Sequence, residues 1–342
     1  MFKPKYAITN KLLANIKRIS EIIVDLNNRT FSRVVLLDME RRAREISAYS
    51  STSIEGNPLP LTDVKRILKN SPANARESEK EVLNYNKALT ELDTLIKNER
   101  DIFNKGLVLK IQQTITTGLI EKYRCGKIRQ ESVFVNNPKT RQTVYLPPDH
   151  QDVDKLLEEL FLYLNKNKNI VDPLILAGIF HKQFVVIHPF VDGNGRTTRL
   201  ATKALLAKMG LNTFYLFSFE NYYNQNVSRY FQEVGVLGNY YEIKDKIDFT
   251  SWLEYFTDGI IDELLRVIKE LEKEKISPDN ELKEYHLKII AYIKKKGYIV
   301  DRDYAALTKR AKPTRNLDFR KLIADGIIEK VGKGKATYYK LK

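Results

Sequence analysis

Cysteine is nearly absent from this 342-residue chain. Cys125 stands alone, so neither an internal disulfide nor a cysteine zinc site can form. The expectation is a reducing compartment, with Cys125 an ordinary core or loop residue. Long apolar runs are missing too. No stretch reaches the ~18 uninterrupted apolar residues of a membrane helix. The opening MFKPKYAITNKLL lacks the apolar core and small-residue cleavage site of a signal peptide. The expected location is cytoplasmic, with no membrane partner. The sequence also contains no internal repeat and no low-complexity tract.

What is present reads as globular. Hydrophobic residues make up 43% and charged residues 30%, which excludes a disordered chain or a fibre. At about 150 residues per domain the length suggests two domains. The net charge is +15, and Lys283 to Lys342 hold 17 Lys and Arg against 6 Asp and Glu. Most of the net positive charge therefore belongs to a C-terminal module. Such a module suits an acidic partner such as nucleic acid, or simply a solvated basic face.

Apolar residues recur at three- and four-residue spacing over 11–25 and 34–55, the second run stopping at Gly56-Asn57-Pro58. Further helices are expected at 61–70, 75–98, 105–122, 151–166, 173–187, 196–209, 225–236 and 249–273. SVFVNNPKTRQTVYLPP (132–148) alternates instead and turns at Asn136-Asn137-Pro138, which predicts a β-hairpin. A lone hairpin is not a stable sheet, so it should lie on the helical body as a flap. Apolar content falls around Lys273 to Pro278, the expected domain boundary. Beyond it the pattern reads helix (283–296), helix (303–310), helix (314–325) and a hairpin around Gly332-Lys333-Gly334. That order describes a winged helix-turn-helix over 276–342.

The most informative stretch is Ile187-His188-Pro189-Phe190-Val191-Asp192-Gly193-Asn194-Gly195-Arg196-Thr197-Thr198-Arg199. An apolar helix runs into His-Pro and must turn. Gly193 and Gly195 allow close approach to the main chain. A helix opening there aims free N–H groups at one point, an anion site. Arg196 and Arg199 share one face of its first turn, where cations are disfavoured unless a polyanion compensates them. A triphosphate fits. Asp192 is a hard oxygen ligand suited to Mg²⁺ beside phosphates. His188 can accept a proton at neutral pH, and Asn194 can donate its amide to a phosphate oxygen. Glu55 closes a helix at the end where a negative charge is opposed. It is either an exposed glutamate or one compensated by a guanidinium.

His188-x-Phe190-x-Asp192-Gly193-Asn194-Gly195-Arg196-x-x-Arg199 resembles the complete signature of the Fic family. The resemblance covers about residues 30–260. It implies a mainly α fold, a Fic-type helical bundle with a β-hairpin flap. It further implies transfer of AMP from ATP to a protein Ser, Thr or Tyr hydroxyl. His188 would then be the general base, Asp192 the Mg²⁺ ligand, and Asn194 with the amides of Gly193 to Gly195 the α-phosphate site. Arg196 and Arg199 would take the β- and γ-phosphates. Phe134, Val135 and Asn136 match flap residues that border the nucleotide. Tyr230, with Phe231 where the family has a second tyrosine, and Asn239 are similar to adenine-pocket residues. Ser51-Thr52-Ser53-Ile54-Glu55-Gly56 resembles the family's inhibitory helix motif, whose glutamate binds the second signature arginine.

The implied domains are an N-terminal helical region (1–100) with an inhibitory helix at 38–56, a catalytic core (101–275) and the C-terminal module. The expected function is an adenylyltransferase restrained by Glu55, using Mg²⁺ and ATP. Its alternatives are a DNA-binding regulator with a nucleotide-sensing site, Glu55-dependent removal of AMP, and a phosphotransferase. A hydroxyl-bearing protein, the chain itself, duplex DNA and a second copy in a homodimer are the candidate partners.

Overall fold

The computed structural model describes residues 2–98, 103–136, 140, 142–273 and 282–342. They divide into two compact units, 1–29 with 43–268 and 30–42 with 269–342. The larger unit is mainly helical. Its helices are α1 (Asn10–Asn28), the later part of α2 (Arg33–Ile54), α3 (Leu61–Asn70), α4 (Glu77–Asn98) and α5 (Lys105–Thr116). They continue with α6 (His150–Asn167), α7 (Pro173–Ile187), α8 (Asn194–Leu206), α9 (Glu220–Gln225), α10 (Val227–Val234), α11 (Tyr240–Ile243) and most of α12 (Thr250–Lys273). Side chains cap several starts: Thr9 accepts from Leu12, Asn104 from Leu107, and Asp172 from Leu174 with proline following at 173. The expected helix over 105–122 stops at Thr116, and the one over 225–236 becomes α9 and α10.

The core is built round α7. Its sequence PLILAGIFHKQFVVI is apolar on every side and almost every residue is buried, as a central helix should be. Phe180, Phe184 and Ile187 are fully enclosed, and Trp252 on α12 donates from its indole to the Gly178 carbonyl at 2.8 Å. This packing fixes the end of α7, and therefore the place where His188 leaves it.

The flap contains β1 (Val135–Asn136) and β2 (Thr143–Leu146), antiparallel with Val135 opposite Tyr145. Its expected turn at Asn137-Pro138 lies outside the described residues. The pairing gains a third member, β3 (Gly238–Asn239), parallel to β2 with Leu146 opposite Asn239. Two residues carry no alternation, so the sequence pattern could not announce this strand. The Tyr145 hydroxyl donates to the Val186 carbonyl of α7 at 2.9 Å, anchoring the sheet to the bundle.

The smaller unit holds α13 (Glu284–Lys296), α14 (Asp301–Leu307), α15 (Lys312–Ala324) and the antiparallel strands β4 (Ile328–Val331) and β5 (Tyr338–Leu341). Ile299 bridges to Tyr339 at the edge of that hairpin. Its core joins Ile289, Ile293, Ile299, Tyr304, Phe319, Leu322 and Ile328, with Val34 and Leu37 from the start of α2 packed against it. The expected boundary near Lys273 to Pro278 falls mostly outside the described residues.

Candidate active site

The site forms where α7 ends and α8 begins. His188 closes α7 with φ of +51°, a left-handed backbone rare outside glycine. Its N–H donates to the Phe184 carbonyl at 3.0 Å. The ring Nδ1 lies 3.3 Å from the Val185 carbonyl, which suits a protonated Nδ1 and leaves Nε2 as the free acceptor. His188 is half-buried, and the desolvation of its ring by the surrounding protein pushes its pKa from 6.5 down to about 4. The Val185 carbonyl, Glu55 and Asp192 oppose that fall, while Arg129 adds to it. The imidazole is therefore neutral at pH 7, the form a base requires.

The loop to α8 is pinned by Asn194. Its Oδ1 accepts from the Phe190 N–H at 2.9 Å and its Nδ2 donates to the Phe190 carbonyl at 2.8 Å. Both ends of this amide hold the loop closed. Gly193 caps α8 with φ of +80°, and a Cβ there would press on Ile115 and Thr116. Gly195 is needed for a different reason: a Cβ there would collide with the Glu55 carboxylate.

The two signature arginines are buried and each sits on carboxylates. Arg196 pairs through Nη1 with Glu81 of α4 at 2.5 Å and through Nη2 with both oxygens of Asp192 at 3.0 Å. Its Nε is buried with no hydrogen-bond partner, a donor that an incoming anion would satisfy. Asp192 also accepts from the Gly193 N–H at 2.6 Å, while its side chain stays 45% exposed. Arg199 is fully buried. Its Nη2 donates to Glu55 at 2.7 Å and to the Ser51 carbonyl at 2.8 Å, and its Nε donates to the Ser51 hydroxyl at 2.8 Å. Burial works against its charge, but Glu55, Tyr230 and Tyr85 together outweigh it and raise the pKa.

Glu55 reaches this position because α2 unwinds just before it. The N–H groups of Glu55, Gly56 and Asn57 turn back to the carbonyls of Thr52 and Ser53, with Gly56 at φ of +95°. The penalty for a carboxylate at that helix end is offset twice, by Arg199 and by the N-terminus of α8 beneath it. Ser51, Glu55, Asp192, Arg196 and Arg199 are thus brought together beside His188 and Asn194.

Of the remaining expected residues, Tyr230 reaches this cluster through Arg199, while Asn239 and the flap residues have partners of their own. Tyr230 is buried, with its hydroxyl 3.0 Å from His181 Nε2 and 3.5 Å from Arg199. Asn239 lies in β3 and caps α11 by accepting from the Tyr241 N–H. In the flap, Phe134 is 62% exposed, Val135 is in the ladder and Asn136 accepts from Thr143. Glu81 escaped the sequence reading, as did Glu220, which takes the Tyr85 hydroxyl and Ser47 behind Arg199. Glu81 is one acid in a charged helix, and Glu220 opens the short helix ENYYNQ with no motif around it.

Among the described residues no group of three or more His, Cys, Asp or Glu could hold a metal ion. No described helix is long and apolar enough to cross a membrane. A metal at Asp192 would therefore need oxygens from a phosphate ligand, and the unpartnered Arg196 Nε beside it is suited to the same ligand.

Comparison with known proteins bears on this same region. Residues 102–206 match the Fic/DOC family. The chain is 27% identical over 220 residues to the protein adenylyltransferase Fic of Aedes aegypti, covering 59% of this chain and 42% of that protein. It is 27% identical over 209 residues to protein adenylyltransferase fic-1 of Caenorhabditis elegans, covering 60% and 39%. The aligned part thus spans less than half of these relatives. Among solved structures, a Fic family protein from Desulfovibrio desulfuricans G20 superimposes with a TM-score of 0.64 at 22% identity, over 100% of this chain and 98% of that one. Fic-1 from C. elegans gives 0.59 at 21% identity, over 78% and 73%. These likenesses establish the fold as mainly α and of the Fic type.

Proposed function

We propose that this chain is a protein adenylyltransferase held back by its own Glu55. One observation carries the reading: a carboxylate from a distant helix occupies the anion site, 2.7 Å from the buried Arg199 and against Gly195. A phosphate-binding arginine covered by an acid describes a site built for a nucleotide and kept from using it. The relatives named adenylyltransferases support the chemistry.

In the proposed reaction a target hydroxyl oxygen attacks the α-phosphorus of ATP. The new O–P bond forms as the bond to the β-phosphate bridging oxygen breaks, and pyrophosphate leaves. The hydroxyl proton goes to Nε2 of the neutral His188. Backbone N–H groups at the start of α8 face the phosphates, with Asn194 keeping the loop in shape for them. Arg196 and Arg199 exchange their carboxylates for the outer phosphates. Asp192, with the phosphate oxygens, would hold Mg²⁺, which supplies charge neutralisation on the polyphosphate. Phe134, Val135 and Asn136 would hold the target segment by main-chain pairing along the flap. Tyr230 and Asn239 are the candidate adenine contacts.

The test is incubation of the full chain with Mg²⁺ and ATP labelled at the α-phosphate, followed by intact-mass analysis. Glu55→Gly should gain label and one AMP mass well above wild type, and adding His188→Ala should cut the labelling at least about 100-fold. Equal labelling of wild type and Glu55→Gly would reject the brake. Undiminished labelling by the double variant would reject the base.

A second reading concerns the smaller unit. Three helices followed by a hairpin, with most of the chain's net positive charge, support a duplex-DNA contact. Arg310 and Arg315 are engaged with Asp318 and Asp301, whereas Lys309, Lys312, Arg320 and Lys333 are exposed. The full chain should then bind duplex DNA in a salt-sensitive manner, and Lys312→Glu with Arg320→Glu should flatten the salt dependence. Undiminished binding by that variant would exclude this surface.

A further inference from the structure

Arg129 lies outside the signature and the inhibitory motif, yet it is 98% buried beside the proposed base. Its guanidinium makes three hydrogen bonds, all to carbonyl oxygens. Nε donates to His188 at 2.9 Å, Nη1 to Glu131 at 2.9 Å and Nη2 to Pro148 at 2.5 Å. Its own N–H adds a fourth, to the Pro189 carbonyl at 3.0 Å. No ion pair to a carboxylate is made by this side chain among the described residues, although a buried cation ordinarily takes one. Glu131 and Pro148 stand just outside β1 and β2, so they are the two roots of the flap. One planar group therefore ties both roots to the residue that carries the imidazole.

Geometry explains why such a clamp is needed. His188 holds φ of +51°, a conformation that persists in a non-glycine residue only where its surroundings over-determine it. The Phe184 carbonyl fixes its N–H and Arg129 fixes its C=O, so the peptide groups on both sides of the strained residue are held. An arginine can do this at three diverging carbonyls because its donors form a rigid fork, whereas a lysine ammonium would reach only some of them.

We propose that Arg129 is a positioning residue for the transfer step, clamping the His188 carbonyl to both roots of the flap so that base and target-bearing strand keep one register. This rests on the adenylyl-transfer reading above. Arg129 makes no hydrogen bond to Gly193, Gly195, Arg196 or Arg199, so ATP capture should not depend on it.

The experiment compares Arg129→Met and Arg129→Lys in the Glu55→Gly chain. One readout is label transfer against ATP concentration. The second is the ring signals of the histidines by NMR at fixed pH, His188 being identified by its loss in His188→Ala. For Arg129→Met the rate at saturating ATP should fall about 100-fold, the cost of a misplacement near 1 Å. ATP half-saturation should stay within about twofold, and Arg129→Lys should recover part of the rate. The His188 signal should move while those of His181 and His286 stay put. An unchanged saturated rate, a half-saturation that rises in step with the lost rate, or an unmoved His188 signal would overturn the clamp. So would joint movement of all the histidine signals, which marks a general loss of structure. If Glu55→Gly transfers no label at all, the adenylyl-transfer reading fails, and the ring signals alone decide whether Arg129 holds His188.

Discussion

Within the signature loop almost every polar side chain has a fixed partner: Asn194 on Phe190, Asp192 on Arg196, Arg199 on Ser51 and Glu55. Only a few steps away the flap is made of two short strands, with Phe134 turned outward and 62% exposed. The loop spends its hydrogen bonds on holding a geometry, whereas the flap leaves main-chain groups and an aromatic ring available. That difference separates the two tasks of the proposed reaction. Chemistry tolerates little displacement, while recognition of an extended segment needs an open edge.

The sharpest way to test the contrast is to strike the loop at its base. In the Glu55→Gly background, His188→Ala should lower the transfer rate about 10²- to 10⁴-fold, as loss of a general base does, while ATP binding persists. Survival of the rate would place the chemistry elsewhere. The pH profile probes the same residue more finely. A base is useful only when unprotonated, and a pKa depressed to about 4 keeps His188 neutral at every pH above that. The kcat/KM for ATP of Glu55→Gly should therefore hold level from pH 8 to about pH 5 and fall only towards pH 4. A midpoint near 6.5 would mean that water reaches the ring well enough to cancel its desolvation.

The loop's tight pairing also predicts a cost. Glu55→Gly leaves the buried Arg199 without its carboxylate, a loss of about 1–3 kcal/mol. Thermal denaturation should show the melting temperature falling by several degrees. A non-hydrolysable ATP analogue with Mg²⁺ should restore more stability to this variant than it adds to wild type. An unaltered melting temperature would show that Ser51 and Tyr230 suffice for Arg199. The smallest effect belongs to the flap. Phe134→Ala should leave stability within about 0.5 kcal/mol, since exposed side chains contribute little, and lower target modification only a few-fold at unchanged ATP half-saturation. A large loss would assign the exposed ring to the nucleotide.

The same contrast governs what could be read in advance. The loop was legible because its physics is local: turn glycines, a helix N-terminus and paired arginines lie within a dozen residues. Glu55 was legible as a helix-terminal acid followed by glycine. Glu81 and Arg129 were not. Glu81 sits in ESEKEVLNYNK, one acid among several on an amphipathic helix, and Arg129 is one of 58 Lys and Arg. Their importance comes from the residues brought to them across the fold. The parallel strand Gly238–Asn239 escaped because two residues have no period, and it carries Asn239 into the sheet beside Leu146. Helix order was legible from periodicity, while ends such as Thr116 were set by packing and turns.

The smaller unit is discontinuous along the chain, drawing on 30–42 as well as 269–342. Val34 and Leu37 pack, partly buried, against a hydrophobic cluster whose buried members all come from Leu282 onward. In evolutionary terms, a gene fusion that delivered only the C-terminal stretch would have brought the buried core but left uncovered the face on which Val34 and Leu37 pack. Recombination of this module into another protein would therefore have to carry two separated pieces of coding sequence, or a new partner, to keep that face covered.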